Sequence, residues 1–271
     1  SHPRGVQRPR ARSFVSRLSL VLALAACATP PPTAPELLEP AVVGPGGGDT
    51  PFVELLEAGF TAAILQVRLE DGRLVSGPRG ERDFESQDLR PLARAFTNPN
   101  APDSFVLLLV IREAADETYA ALTPLLHAVR PHLARYEGGE RIAGPIRVVL
   151  TGAVPVEHMV RERTRYAFVA GGPGELESSP YSPDLLPLVR VRYDYLLTWD
   201  GSGSLPKEER MALQAITARA HAQGRLVSVR GAPQAAWEAL LVGGVDYIEV
   251  GAAGTREADR IAHFLGRRAR R

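Results

Sequence analysis

From Ala41 onward, short apolar runs of strand length alternate with stretches whose apolar residues recur at steps of three and four. The runs predict strands at 41–43, 61–69, 104–111, 146–151, 166–170, within 188–199, at 225–230 and at 247–250. Tyr119, Leu122, Leu126, Val129 and Leu133 give 116–136 a helical period, and 207–223, 233–242 and 255–268 read the same way. Ser204-Leu205-Pro206 reads as a cap followed by a proline early in the helix. Such alternation belongs to a parallel sheet with helices outside it. Eight units over 41–268 suit a compact α/β fold, a TIM-type (β/α)8 barrel, which needs roughly 200 residues or more. The rival is an open doubly wound sheet, but no Gly-x-Gly-x-x-Gly follows a predicted strand. Asp71-Gly72, between 67–69 and 74–75, predicts a β-hairpin that extends the second strand.

The segment before this body has another character. Arg4, Arg8, Arg10, Arg12 and Arg17 precede an apolar run at 18–26, and no acid occurs before Glu36, which is the layout of a secretory signal peptide. The run is far shorter than the ~20 apolar residues of a membrane-spanning helix. It ends in Leu24-Ala25-Ala26-Cys27, which resembles the bacterial lipobox. That resemblance implies a lipoprotein signal peptide over 1–26, with Cys27 lipidated and left as the first mature residue. A buried, inert cysteine is the plainer reading, but basic segment, apolar run, small residues and cysteine stand in the expected order. Residues 27–40, with Pro30, Pro31, Pro32, Pro35 and Pro40, read as a partly extended tether, leaving 41–271 as the barrel. Acyl chains add ~0.8 kcal/mol of membrane affinity per buried methylene, so the membrane itself is an expected partner. Ala28 stands where enteric bacteria use aspartate for inner-membrane retention, which favours the periplasmic face of the outer membrane as the location in the cell envelope.

Composition narrows the partners further. The 271 residues are 45% hydrophobic and 23% charged, enough to bury a core, and 32 basic against 31 acidic residues give +1. Residues 1–26 hold five arginines and no acid, so the chain without them carries −4. That balance argues against nucleic acid as a partner. One cysteine excludes an internal disulfide, and no Cys/His spacing suits structural zinc.

Several segments together resemble a known family. Pro51-Phe-Val-Glu-Leu-Leu-Glu-Ala-Gly-Phe-Thr61, the hairpin through Val75, FVLLLVIREAADETYAA at 105–121 and Gly144-Pro-Ile-Arg-Val-Val-Leu-Thr-Gly152 look like the phospholipase C-like phosphodiesterases. They look most like the small-barrel branch named for altered inheritance of mitochondria protein 6, related to glycerophosphodiester phosphodiesterases. Residues 218–227, 232–241 and 244–248 resemble its last two units, so the likeness spans nearly all of 41–266. The resemblance implies phosphodiester cleavage with a divalent cation such as calcium or magnesium, two histidines for proton transfer and carboxylates for the metal.

This chain departs from that pattern at each of those acid, base and metal positions. No histidine occurs at 41–50, where the first is expected; Ile64-Leu65-Gln66 stands for the Glu-x-Asp pair; Gly77 for the second histidine; and Val110-Ile111-Arg112 for acid-x-Lys, keeping only the positive charge. Ile64, Gln66, Gly77, Val110 and Arg112 therefore mark a degenerate family site, from which no catalytic residue, metal or cofactor is expected. Gln66, Arg112 and Arg230 are candidates for an anion site that takes a phosphorylated small molecule or lipid headgroup. The expected function is an envelope-anchored, catalytically inactive barrel that binds or scaffolds. The alternative is a phosphoric diester hydrolase of lipid metabolism, acting on glycerophosphodiesters or lipid headgroups through a relocated site at His158 beside Glu157, with Asp200 or Glu249. His127, His132, His221 and His263 read as solvated or interhelical. A sugar-binding lipoprotein is weaker still, because Trp199 and Trp237 are the only tryptophans and Trp237 reads as a helix packing residue.

Overall fold

Phe105–Ile111 is apolar at every position, as a strand covered on both faces must be, and only Val110 of the seven is not fully buried. It sits in a sheet whose parallel strands are β1 (Ala41–Pro45), β2 (Ala62–Glu70), β3 (Phe105–Ile111), β4 (Ile146–Gly152), β5 (Phe168–Gly171), β6 (Leu188–Arg192), β7 (Leu226–Arg230) and β8 (Tyr247–Glu249). The computed structural model describes residues 41–45, 52–57, 60–77, 80, 82–250 and 263. The signal segment, Cys27, the tether, the stretch 46–50 and all of the predicted helix 255–268 except His263 lie outside the described residues.

Each parallel strand is paired with the next, and β1 pairs on one side with β2 and on the other with β8. The described helices are α1 (Phe52–Glu57), α2 (Arg90–Ala95), α3 (Ala115–Ala128), α4 (Val156–Arg161), α5 (Tyr193–Leu196), α6 (Lys207–Ala222) and α7 (Trp237–Val242). The sequence-predicted strands are all found, each within a few residues of its expected ends. The Asp71-Gly72 hairpin forms too, joining β2 to Arg73–Ser76 in antiparallel register. Both turn residues have positive φ, 46° and 76°, the requirement of a type I′ turn.

Two expectations need correction. The helix predicted over 116–136 stops at Ala128, because Pro131 has no N–H to continue the ladder; a 3-10 turn follows at Arg130–His132. Leu133, the last residue of the helical period, instead bridges Ile146 at the foot of β4 and is completely buried there. Pro206 is not the first helical residue but the extended residue before it, and no side chain caps α6. A small antiparallel sheet went unpredicted: Arg135–Glu137, Glu140–Ile142 and Thr164–Arg165, with Gly138-Gly139 at its turn.

The buried residues fall into two groups. The larger lies between strands and helices and takes Phe105, Leu107, Leu109 and Ile111 from β3. The smaller takes the alternate residues: Ala62, Val106, Leu108, Val149, Phe168, Leu188, Leu226 and Tyr247, with Ile64 and Ala170 against them. Side chains alternate with period two along a strand, so the smaller group marks the inner face of the sheet.

Candidate functional site

Two residues beyond this apolar inner layer, toward the carboxyl ends of the strands, the same face turns polar. Ile64 is followed by Gln66, Val149 by Thr151, Leu188 by Arg190, Leu226 by Ser228 and Tyr247 by Glu249, while Leu108 is followed by Val110. In parallel α/β sheets this is the end at which ligand sites are built. Gln66 stands opposite Val110, Val110 opposite Thr151, and Arg190 opposite Ser228.

Here the polar groups satisfy one another. Arg190 donates from Nε to Glu249 Oε1 at 2.7 Å and from Nη2 to Oε2 at 2.6 Å, a bidentate fork, and from Nη1 to Thr151 Oγ1 at 3.0 Å. Ser228 Oγ donates to Glu249 Oε1 at 2.6 Å. The Glu249 side chain is only 5% exposed, so its two oxygens, holding three protein donors, have little room for a fourth partner. Sequence reasoning singled out Glu249 but missed Arg190, Thr151 and Ser228; the only signal was a pair of arginines two residues apart in an otherwise apolar strand, Leu188-Val189-Arg190-Val191-Arg192.

The remaining sequence candidates disperse. Gly77, whose N–H bonds to the Gln66 carbonyl at 3.1 Å, is buried at φ 91°, a conformation that histidine rarely adopts. Gln66 is half-buried and Arg112 exposed just past β3. Arg230 is exposed at the end of β7, where a cleft of about 380 Å3 joins it to Arg192 and Asp194, themselves an ion pair. Asp200 is exposed and accepts the Ser202 N–H at 2.8 Å, closing a loop turn. Trp237 is a packing residue, 1% exposed.

His158 lies elsewhere, on α4 against α3. Its Nδ1 is 3.5 Å from Asp116 Oδ1 and its Nε2 3.7 Å from Glu162 Oε1, and its ring meets Tyr119 edge-on. Tyr119 donates to Glu162 Oε2 at 2.5 Å, and burial with this carboxylate pushes the phenol well above its usual range. Glu157 accepts from the Tyr181 hydroxyl at 2.9 Å. His158 and Glu249 thus belong to separate constellations. His221 is paired with buried Asp246 at 2.9 Å, and burial holds that carboxyl above its ordinary value.

Among the described residues no group of three or more His, Cys, Asp or Glu is placed to hold a metal ion. At the strand ends Gln66, Val110 and Thr151 supply no anionic oxygen, and Glu249 is held by a guanidinium; this donor set does not suit a hard divalent cation. No described helix is long and apolar enough to cross a membrane.

No protein-family model and no curated protein matches the chain. Solved structures do. Two structures of a calcium-dependent phosphoinositol-specific phospholipase C from the Gram-negative bacterium Pseudomonas sp, one of them a myoinositol complex, superpose with a TM-score of 0.54 at 10% identity, covering 80% of this chain and 94% of theirs. A mandelate racemase/muconate lactonizing enzyme-like protein from Rubrobacter xylanophilus reaches a TM-score of 0.43 at 14% identity over 82% of this chain and 54% of that one. At 10% identity the first likeness establishes a shared α/β fold of the phospholipase C type.

Proposed function

We propose that this chain is an envelope lipoprotein, tethered through Cys27, whose closed phospholipase C-like barrel binds or scaffolds and does not cleave phosphodiesters. The cyclic strand pairing and the fold shared with the phosphoinositol-specific phospholipase C support the barrel. The observation that carries the functional reading is the occupation of both Glu249 oxygens by Arg190 and Ser228. Metal-assisted phosphoryl chemistry needs free anionic oxygens to seat the cation and an acid–base pair in reach of the reacting oxygens. Here the strand-end carboxylate already neutralises a neighbouring guanidinium.

The test is hydrolysis of bis-p-nitrophenyl phosphate and glycerophosphoinositol by the full chain, with calcium or magnesium and with a chelator. No metal-dependent turnover above buffer is expected. Chelator-sensitive turnover that Glu249→Gln removes overturns the reading.

A second reading, a phosphoric diester hydrolase with a relocated site, is favoured by the position of His158 between two carboxylates, the arrangement of an oriented general base. It requires turnover that His158→Ala abolishes.

A further inference from the structure

A cleft of about 710 Å3 lies away from the strand ends, beside α4, between that helix, the Gly138-Gly139 turn and the segment 180–185. Three arginines at alternate positions, Arg161, Arg163 and Arg165, line it. Arg161 and Arg163 are exposed, and neither forms an ion pair with a described residue. Arg165 is 4% exposed, stacks its guanidinium over the Tyr136 ring at 4.0 Å and donates from Nη2 to the Asp184 carbonyl at 2.7 Å. Its Nε–H is buried with no hydrogen-bond partner.

Buried cations are ordinarily matched by a carboxylate, because desolvating a lone charge costs several kcal/mol. Arg165 lacks that match. The Asp184 carboxylate pairs with Arg141 at 2.9 Å, and the Glu162 carboxylate, the one acid lining the cleft, accepts from Tyr119. Burial accordingly pulls the Arg165 guanidinium below its ordinary value. Three guanidiniums against one carboxylate leave the cleft an excess of two positive charges, in a chain whose body is net acidic.

We propose that this cleft binds a phosphate monoester or an equivalent dianion, with Arg161, Arg163 and Arg165 as its cationic wall. A dianion matches the excess charge, and guanidinium forks present paired N–H donors at the spacing of phosphate oxygens. The cleft is larger than a phosphate group, and Tyr181 and Val160 offer apolar surface for the organic part of an ester. The proposal is independent of whether the strand-end site catalyses.

Titration calorimetry of the full chain with inorganic phosphate and with glycerol 3-phosphate, alongside sedimentation with phosphatidic acid or phosphatidylcholine vesicles, tests it. The Arg161→Ser/Arg163→Ser variant removes two exposed groups, and Arg94→Ser/Arg210→Ser removes the same charge elsewhere on the surface. Expected is saturable binding that weakens with salt, falls about tenfold or more in the first variant and persists in the second. Binding of the soluble anions with this pattern supports the site and assigns it to free esters; binding of phosphatidic acid vesicles alone, with the same pattern, supports it and assigns a lipid headgroup. Binding to none of these, or binding that Arg161→Ser/Arg163→Ser leaves intact, overturns it.

Discussion

Arg190 and Arg165 are both arginines held largely inside the molecule, and they differ in what surrounds them. Arg190, its side chain 16% exposed, donates three hydrogen bonds to a carboxylate and a hydroxyl that reach it from other strands. Arg165 has an aromatic face, one carbonyl and an Nε–H with nothing to bond. The contrast separates two uses of buried charge. A guanidinium whose donors are matched inside the protein fixes neighbouring strands to one another. One that is left over in an open cleft keeps donors for a ligand from outside, the use proposed above for Arg165. In this chain the strand ends, where a phosphodiesterase of this fold would be expected to work, are of the first kind, and the flank beside α4 is of the second.

The largest effect that sharpens this contrast comes from breaking the strand-end pair. Glu249→Ala leaves Arg190 buried without its carboxylate and is expected to cost about 3–5 kcal/mol in urea unfolding. Replacing both partners, Arg190→Met with Glu249→Leu, is expected to recover most of that loss, since the desolvation of two ions disappears with their attraction. A single variant as stable as the parent would show that Glu249 is not committed to Arg190 and is free for another role.

A smaller effect is expected at the cleft. Arg165→Met removes one hydrogen bond and the stacking of a cation, but also a charge that burial disfavours, so unfolding should change by only about 1 kcal/mol. A loss as large as that of Glu249→Ala would mean that Arg165 is matched inside the fold after all, and the contrast between the two arginines would fail.

Much of the fold is legible in the sequence because burial on two faces writes strands as unbroken apolar runs, and Asp71-Gly72 writes its hairpin directly. Where a residue contributes to the core without belonging to a regular element, the period misleads: Leu133 keeps helical spacing with Val129 yet sits on the foot of β4. The Gly138-Gly139 turn was available as a hairpin signal, but its strands are three residues long and too polar to stand out. The candidate site was half legible. Ile64, Gln66, Gly77, Val110 and Arg112 could be read one by one against a family pattern. The pair that fills the strand ends could not, since Arg190 and Glu249 stand 59 residues apart and meet only once β6, β7 and β8 are side by side. Arg165 carries no signal of its own in the sequence, because nothing local announces that Tyr136 and residues 180–185 surround it.

Calcium titration of the full chain, followed by calorimetry, tests the central claim most directly. Up to about 1 mM, the weak end of protein calcium sites, no saturable heat is expected, because the strand-end carboxylate is already bonded to a guanidinium. Stoichiometric calcium binding in that range, lost in Glu249→Gln, would contradict the account.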